Sequence, residues 1–135
     1  MTPVSVTVSR GVIVPKCILI VDDSPSIRRA TRDFIERQTA YVVCGEAEDG
    51  LDAIEQAARL NPDLIILDLA MPRMNGLQAA SELRRIMGHV PLVLFTLYAD
   101  AIAPADAAAA GLSAVVSKTD DLSILARSVE NLLAA

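Results

Sequence analysis

Five short runs of consecutive apolar residues punctuate the chain: 17–21 (CILIV), 41–44 (YVVC), 64–67 (LIIL), 92–95 (LVLF) and 114–116 (AVV). Each is aliphatic or β-branched at successive positions, which is how a strand covered on both faces reads. Between the runs, apolar residues recur at helical spacing. Ile27, Ala30, Thr31, Phe34 and Ile35 form a first stripe, with Arg28, Arg29 and Arg32 off it. Leu51, Ile54, Ala57 and Ala58 form a second, opened by Asp49; Leu77, Ala80, Leu83 and Met87 a third, opened by Asn75. Leu122, Leu125, Val129 and Leu132 form the last, opened by Asp120 or Asp121. Asp and Asn at such starts accept the free N–H groups of a first helical turn. The segment ADAIAPADAAAAGL differs. Its alanines favour helix, but Pro104 is tolerated only in a first turn, which predicts a short helix from near Pro104 to Gly111.

Strand and helix therefore alternate five times. Short parallel strands joined by right-handed helical crossovers give a doubly wound α/β fold with a five-stranded parallel sheet. Ahead of it, residues 1–15 alternate weakly at Val4, Val6 and Val8 and break at Gly11 and Pro15, so an N-terminal extension with poor order is expected before a single domain over 16–135.

Composition narrows the class. The 135 residues are 53% hydrophobic and 21% charged, with 3% aromatic, so a globular core is built mainly from Ala, Leu, Val and Ile. A net charge of −5 without any Lys/Arg run argues against direct nucleic-acid binding. No apolar stretch is long enough to span a bilayer, and no signal peptide opens the chain, so a cytoplasmic location is expected. Cys17 and Cys44 have no Cys or His at metal-ligand spacing and read as buried thiols. His89, beside Gly88 and Val90-Pro91, reads as a solvated loop residue.

In doubly wound sheets, ligands bind at the carboxyl ends of the strands, near a topological switch point. The ends here carry Asp22 and Asp23 after the first run, Asp68 after the third, Thr96 after the fourth and Lys118 after the fifth. Three converging carboxylates repel one another unless a cation joins them, and oxygen donors without thiolate or imidazole favour a hard ion, Mg²⁺ by default. Any one of these residues has an ordinary structural explanation, as a turn cap, a strand threonine or a solvated lysine. Together they make a phosphoryl site: a carboxylate nucleophile, a metal clamp, a hydroxyl and an ammonium.

IVDDSPSIRR, LDLAMPRMNG, the threonine of VLFTLYAD and the lysine of AVVSK together resemble the response-regulator receiver domain, over roughly residues 16–135. The resemblance implies the flavodoxin-like (βα)₅ receiver fold and a phosphorylatable switch of a two-component system. It implies Asp68 as phosphoacceptor; Asp23, Asp68 and the backbone carbonyl of Ala70 as direct Mg²⁺ ligands, with Asp22 assisting through water; Thr96 as the switch hydroxyl; and Lys118 as the ion-pairing partner of the phosphoryl group. Met71-Pro72 and Asn75-Gly76 match the family's loop after the phosphoacceptor. The implied donor is a sensor histidine kinase or a histidine phosphotransfer protein. The implied output is a downstream protein partner, or an output domain of a longer chain, reached through the fourth helix, fifth strand and fifth helix. Such a switch catalyses only its own phosphorylation and dephosphorylation.

Two positions depart from the pattern. Val115 stands where the family often has Tyr or Phe three residues before its lysine, so an aromatic rotamer switch has no side chain there. Leu97 stands where a small residue usually follows the switch hydroxyl, which predicts narrowed access to Asp68 and slow phosphate turnover. Tyr98 lies near the same mouth and reads as a partly buried loop tyrosine or a gate. The alanine-rich fourth helix carries almost no charge, so its face suits a small apolar contact with a partner or a second copy (a homodimer) rather than a salt-bridge network. Two other readings remain: a receiver-like binding module that is never phosphorylated, and an aspartate-nucleophile phosphatase of the haloacid-dehalogenase type. The phosphatase needs an acid/base carboxylate two residues after the nucleophile, and that position is Ala70.

Overall fold

The computed structural model describes residues 6–9 and 12–134; residues 1–5, 10, 11 and 135 lie outside the described residues. Within the expected extension, β1 (Val6–Ser9) and β2 (Val12–Pro15) pair as an antiparallel two-stranded ribbon, separate from the main sheet. The main sheet contains β3 (Cys17–Val21), β4 (Val42–Ala47), β5 (Leu64–Leu67), β6 (Leu92–Thr96) and β7 (Ala114–Ser117). All its pairings are parallel, in the order β4-β3-β5-β6-β7. The helices are α1 (Pro25–Gln38), α2 (Gly50–Leu60), α3 (Gly76–Ile86), α4 (Pro104–Ala109) and α5 (Leu122–Leu133), with a 3₁₀ turn at Ala99–Ala101. The chain steps outward from β3 to β4, then returns past β3 to β5. The order thus reverses at β3, and the carboxyl ends of β3 and β5 lie side by side at the switch point.

Alternate strand residues face two cores. Ile18, Ile20, Leu64, Ile66, Val93 and Phe95 pack with Ile35 of α1 and with Leu125 and Val129 of α5. Leu19, Val21, Ile65, Leu67, Leu92 and Leu94 pack with Ala53 and Ala57 of α2 and with Ala79, Ala80 and Leu83 of α3. With both faces covered, all four residues of β5 and all five of β6 are buried, which explains their unbroken apolar runs.

The helix starts expected at Asp49, Asn75 and Asp120 or Asp121 are observed, the last at Asp121, and Ser24 opens α1 in the same way without having been singled out. Ser24, Asp49, Asn75 and Asp121 cap α1, α2, α3 and α5 with side-chain oxygens, and Asn75 forms a capping box with Gln78. The stripes are phased slightly differently from the sequence reading. On α1, Thr31 and Ile35 are buried, whereas Ala30 is exposed. On α2, Ala53 and Ala57 pack against the sheet, Gly50 is buried against the loop before α3, and Leu51 is 44% exposed. The small residues point inward because Gly50 abuts the loop before α3, where a Cβ would lie 2.6 Å from the Met74 carbonyl oxygen. The residues of α4 are exposed apart from a half-buried Ala107, so its alanines are not covered by a loop.

β4 runs to Ala47, past the expected end at 44, because its register shifts: Ile18 pairs with Val43 but Leu19 with Gly45, leaving Cys44 as a bulge. Cys17 and Cys44 are half-buried free thiols. Burial first, and contact with Cys17 second, push the Cys44 thiol up to about 12, the state of an unreactive cysteine. His89 is exposed.

Candidate functional site

Backbone pairing carries the site residues just past the strands. The Asp22 N–H donates to Ala47 O, the Asp68 N–H to Val21 O, and the Lys118 N–H to Thr96 O, at 3.0, 2.9 and 2.9 Å. Each position is therefore held by its neighbouring strand as well as by its own.

Asp22 and Asp68 are 3% and 7% exposed, and adjacent buried carboxylates need compensation. Lys118 supplies it. Its Nζ donates to Asp22 Oδ2 at 2.6 Å and to Asp68 Oδ2 at 3.1 Å, and stands 5.9 Å from the centre of the Phe95 ring. Burial lowers the lysine pKa, but the bonds to both carboxylates and their charges outweigh it, so the net shift is upward and the ammonium is secured. The remaining oxygens are also engaged: Asp22 Oδ1 accepts the Ser24 N–H at 2.9 Å, and Asp68 Oδ1 the Leu69 N–H at 2.7 Å.

Asp23 is exposed at the rim. Carboxylate oxygens of Asp22, Asp23 and Asp68 all lie within 4.8 Å of one another. Together with Ala70, Leu97, Tyr98 and Lys118 they line a pocket of about 370 Å³. An all-oxygen donor set at this spacing fits a hard divalent cation. Leu97 and Tyr98, 63% and 53% exposed, form the apolar side of the mouth, so Tyr98 is an exposed residue rather than a partly buried one.

Thr96 is fully buried and is not among the lining residues; its Oγ1 accepts the Tyr98 N–H at 3.1 Å. Val115, half-buried on β7, lines a separate groove of about 540 Å³ with Ile102, Ala107 and Leu112 of the α4 region. Five strand-end residues were singled out from the sequence. Four line the pocket, and the fifth lies behind its mouth.

Several contributors carry no such signal. Arg28 and Arg32 pair with Glu46 of β4 at 2.9 and 3.0 Å, and the Arg28 guanidinium also donates to the Asp22 carbonyl, anchoring the acidic turn. They sit off the apolar stripe of α1 and read as solvent-facing charge. Gly76 has no room for a side chain. A Cβ there would run into the Asp68 carbonyl oxygen, with the Asp68 carbonyl carbon 2.9 Å and Leu69 Cα 3.0 Å away. Asp49 was legible only as a helix cap, and Arg73, which pairs with it, had no reading at all.

Comparison with known proteins identifies the family of the chain. Residues 18–130 match the family model described as the response regulator receiver domain. Over 77 residues the chain is 47% identical to protein-glutamate methylesterase/protein-glutamine glutaminase 4 of Myxococcus xanthus, covering 57% of this chain and 21% of that protein. Among solved structures, a two-component response regulator of the LuxR family from Aurantimonas sp. SI85-9A1 is 33% identical with a TM-score of 0.80, covering 87% of this chain and 84% of the other. The response regulator protein TrrA from Thermotoga maritima, solved in complex with Mg(2+)-BeF, is 31% identical with a TM-score of 0.79, covering 87% and 99%. The chain spans 21% and 31% of the lengths of two methylesterase relatives that it matches. The chain belongs to the response regulator receiver domain family of two-component systems.

Proposed function

We propose that this receiver domain is switched by phosphorylation of Asp68. A sensor histidine kinase or histidine phosphotransfer protein presents a phosphohistidine at the pocket. An Asp68 carboxylate oxygen forms a bond to phosphorus as the P–N bond breaks, and the released imidazole nitrogen takes up a proton. Asp22, Asp23, Asp68 and the Ala70 carbonyl are the residues for Mg²⁺, whose charge, when bound, opposes that of the transferring oxygens. Lys118 exchanges its contact with the Asp68 carboxylate for the phosphoryl group, and the Thr96 hydroxyl leaves the Tyr98 N–H to follow it.

One observation carries this reading: a half-buried ammonium bridges two buried carboxylates at adjacent strand ends, with a third carboxylate beside them. A structurally similar relative solved with Mg(2+)-BeF supports it. Phosphorylation shifts a two-state equilibrium, read out at the face of α4, β7 and α5 by a protein partner, a second copy or an output domain of a longer chain. Among the described residues no helix is long and apolar enough to cross a membrane. Half-buried free thiols suit the cytoplasm, where we place the reaction.

The test is intact mass after incubation with acetyl phosphate, with and without Mg²⁺, beside Asp68→Asn. A single phosphoryl adduct that requires both Mg²⁺ and Asp68 is expected. No adduct under any condition would leave the reading as a binding module that is never phosphorylated, which the apolar mouth at Leu97 and Tyr98 favours.

A further inference from the structure

Outside the pocket lies a third enclosed carboxylate, beyond Asp22 and Asp68. Asp49, 2% exposed, caps α2 by accepting the Asp52 N–H at 2.9 Å. Both its oxygens also take the fork of one guanidinium, with Arg73 Nε to Oδ2 at 2.6 Å and Nη2 to Oδ1 at 3.0 Å. Arg73 belongs to the loop that leads from Asp68 to α3, and its φ of 64° lies in the left-handed region that residues other than glycine seldom occupy. A strained backbone persists only where its surroundings impose it, and here the bidentate ion pair points directly at the strained residue.

The loop is held at two more places. Gly76 N–H donates to Leu69 O at 2.9 Å and closes its base. Gly50 N–H donates to Met74 O at 3.1 Å and seats its tip on the first turn of α2, where only glycine leaves room. Ala70 lies between the closed base and the clamped tip. Rotation at residue 73 therefore swings the segment that carries the Ala70 carbonyl.

We propose that the Asp49–Arg73 ion pair is a positioning device that fixes the loop bearing Ala70 and thereby sets how tightly the pocket holds Mg²⁺. The proposal rests on the reading of Asp22, Asp23, Asp68 and the Ala70 carbonyl as the Mg²⁺ ligands. Neither Asp49 nor Arg73 touches the ion; they act through the loop, as partners behind the ligands of a metal site do. The planar fork matters, because it fixes orientation as well as distance, which a lysine ammonium does not.

The experiment titrates Mg²⁺ calorimetrically into the full chain as wild type, Arg73→Ala, Arg73→Lys, Arg73→Gly and Asp23→Asn, with thermal unfolding recorded for each. Arg73→Ala is expected to bind Mg²⁺ roughly tenfold more weakly, with Arg73→Lys only partly restored. Arg73→Gly, which tolerates the left-handed backbone and guards against misfolding, is expected to lose affinity as well. The Mg²⁺ dependence of phosphorylation by acetyl phosphate is expected to shift by the same factor, with the rate at saturating Mg²⁺ within about twofold of wild type. Folded Arg73→Ala that binds Mg²⁺ as wild type does overturns the proposal. So does a loss confined to alanine and absent in glycine, which would assign the effect to strain alone. Wild type that binds no Mg²⁺, indistinguishable from Asp23→Asn, overturns the ligand set and this proposal with it. Wild type that binds, beside Asp23→Asn that does not, isolates any failure to the ion pair.

Discussion

Substitution of Gly76 by alanine tests how closely α3 is fitted against the acceptor. The added Cβ would meet the Asp68 carbonyl and Leu69 Cα, all backbone atoms, so no side-chain rotation relieves it. The segment it strikes is pinned: the Asp68 N–H is bonded to Val21 O, and the Gly76 N–H to Leu69 O. Overpacking costs about 1–3 kcal/mol, and displacement of backbone falls at the upper end. Alanine's helix preference over glycine offsets up to about 1 kcal/mol, leaving a net loss of about 2 kcal/mol. For a domain of 135 residues this lowers the Tm by about 7 °C. Gly88→Ala is the control, because a Cβ there meets only Arg84 O at 3.5 Å, an ordinary contact, and should move the Tm by no more than about 2 °C. Thermal unfolding followed by circular dichroism reads both. The shifted Asp68 backbone should also slow adduct formation with acetyl phosphate roughly tenfold or more. Gly76→Ala with the Tm of the control and an unchanged phosphorylation rate would refute the packing argument.

Lys118→Met leaves Asp22 and Asp68 buried without their cation and should destabilise the protein by about 3 kcal/mol at neutral pH, part of which added Mg²⁺ restores. The Lys118 pKa is raised above its ordinary 10.5 despite burial, so the stabilisation is complete below 10.5 and is lost as pH rises through the folded value. Stability against urea at increasing pH should show that alkaline decline in wild type and not in Lys118→Met. At Asp49 the sign reverses. Arg73 and the α2 N–H groups hold its carboxyl below 3.8, so its contribution is present above that value and fades as pH falls. Asp49→Asn keeps a good helix cap and loses the charge, so a shallower acid unfolding limb is expected beside a modest loss at pH 7; an acid limb identical to wild type would contradict the ion pair. Leu97→Ala opens the pocket mouth and should shorten the life of the aspartyl phosphate, followed by intact mass, while leaving the Tm nearly unchanged; loss at the wild-type rate would show that Leu97 does not restrict access.

The polar strand ends were legible because each depends on a local pattern. A buried strand must read as an apolar run, and a polar residue that ends such a run stands at the rim of the sheet. Asp22, Asp23, Asp68 and Lys118 were accordingly found together. Helix starts were legible for the same local reason, since Asp49 and Asn75 satisfy N–H groups two or three residues away. The phase of the helices was less so. Ala30 and Leu51 fit an apolar stripe by spacing, yet lie exposed, because packing against the sheet and the loop before α3 decides which edge of a broad stripe faces inward.

What the sequence determined by itself was the alternation of strand and helix and the list of groups on one rim, both consequences of periodicity over a few residues. The tertiary structure decided which of those groups touch. Lys118 reaches Asp22 and Asp68 across 96 and 50 residues, and Thr96 turns to Tyr98 instead of the pocket. Nothing near Arg73 announces a left-handed arginine, and nothing near Gly76 announces a carbonyl against its Cα. The first depends on a carboxylate 24 residues earlier, the second on how α3 settles over the end of β5. Such contacts arise from closure of distant segments around one core, where packing leaves no slack.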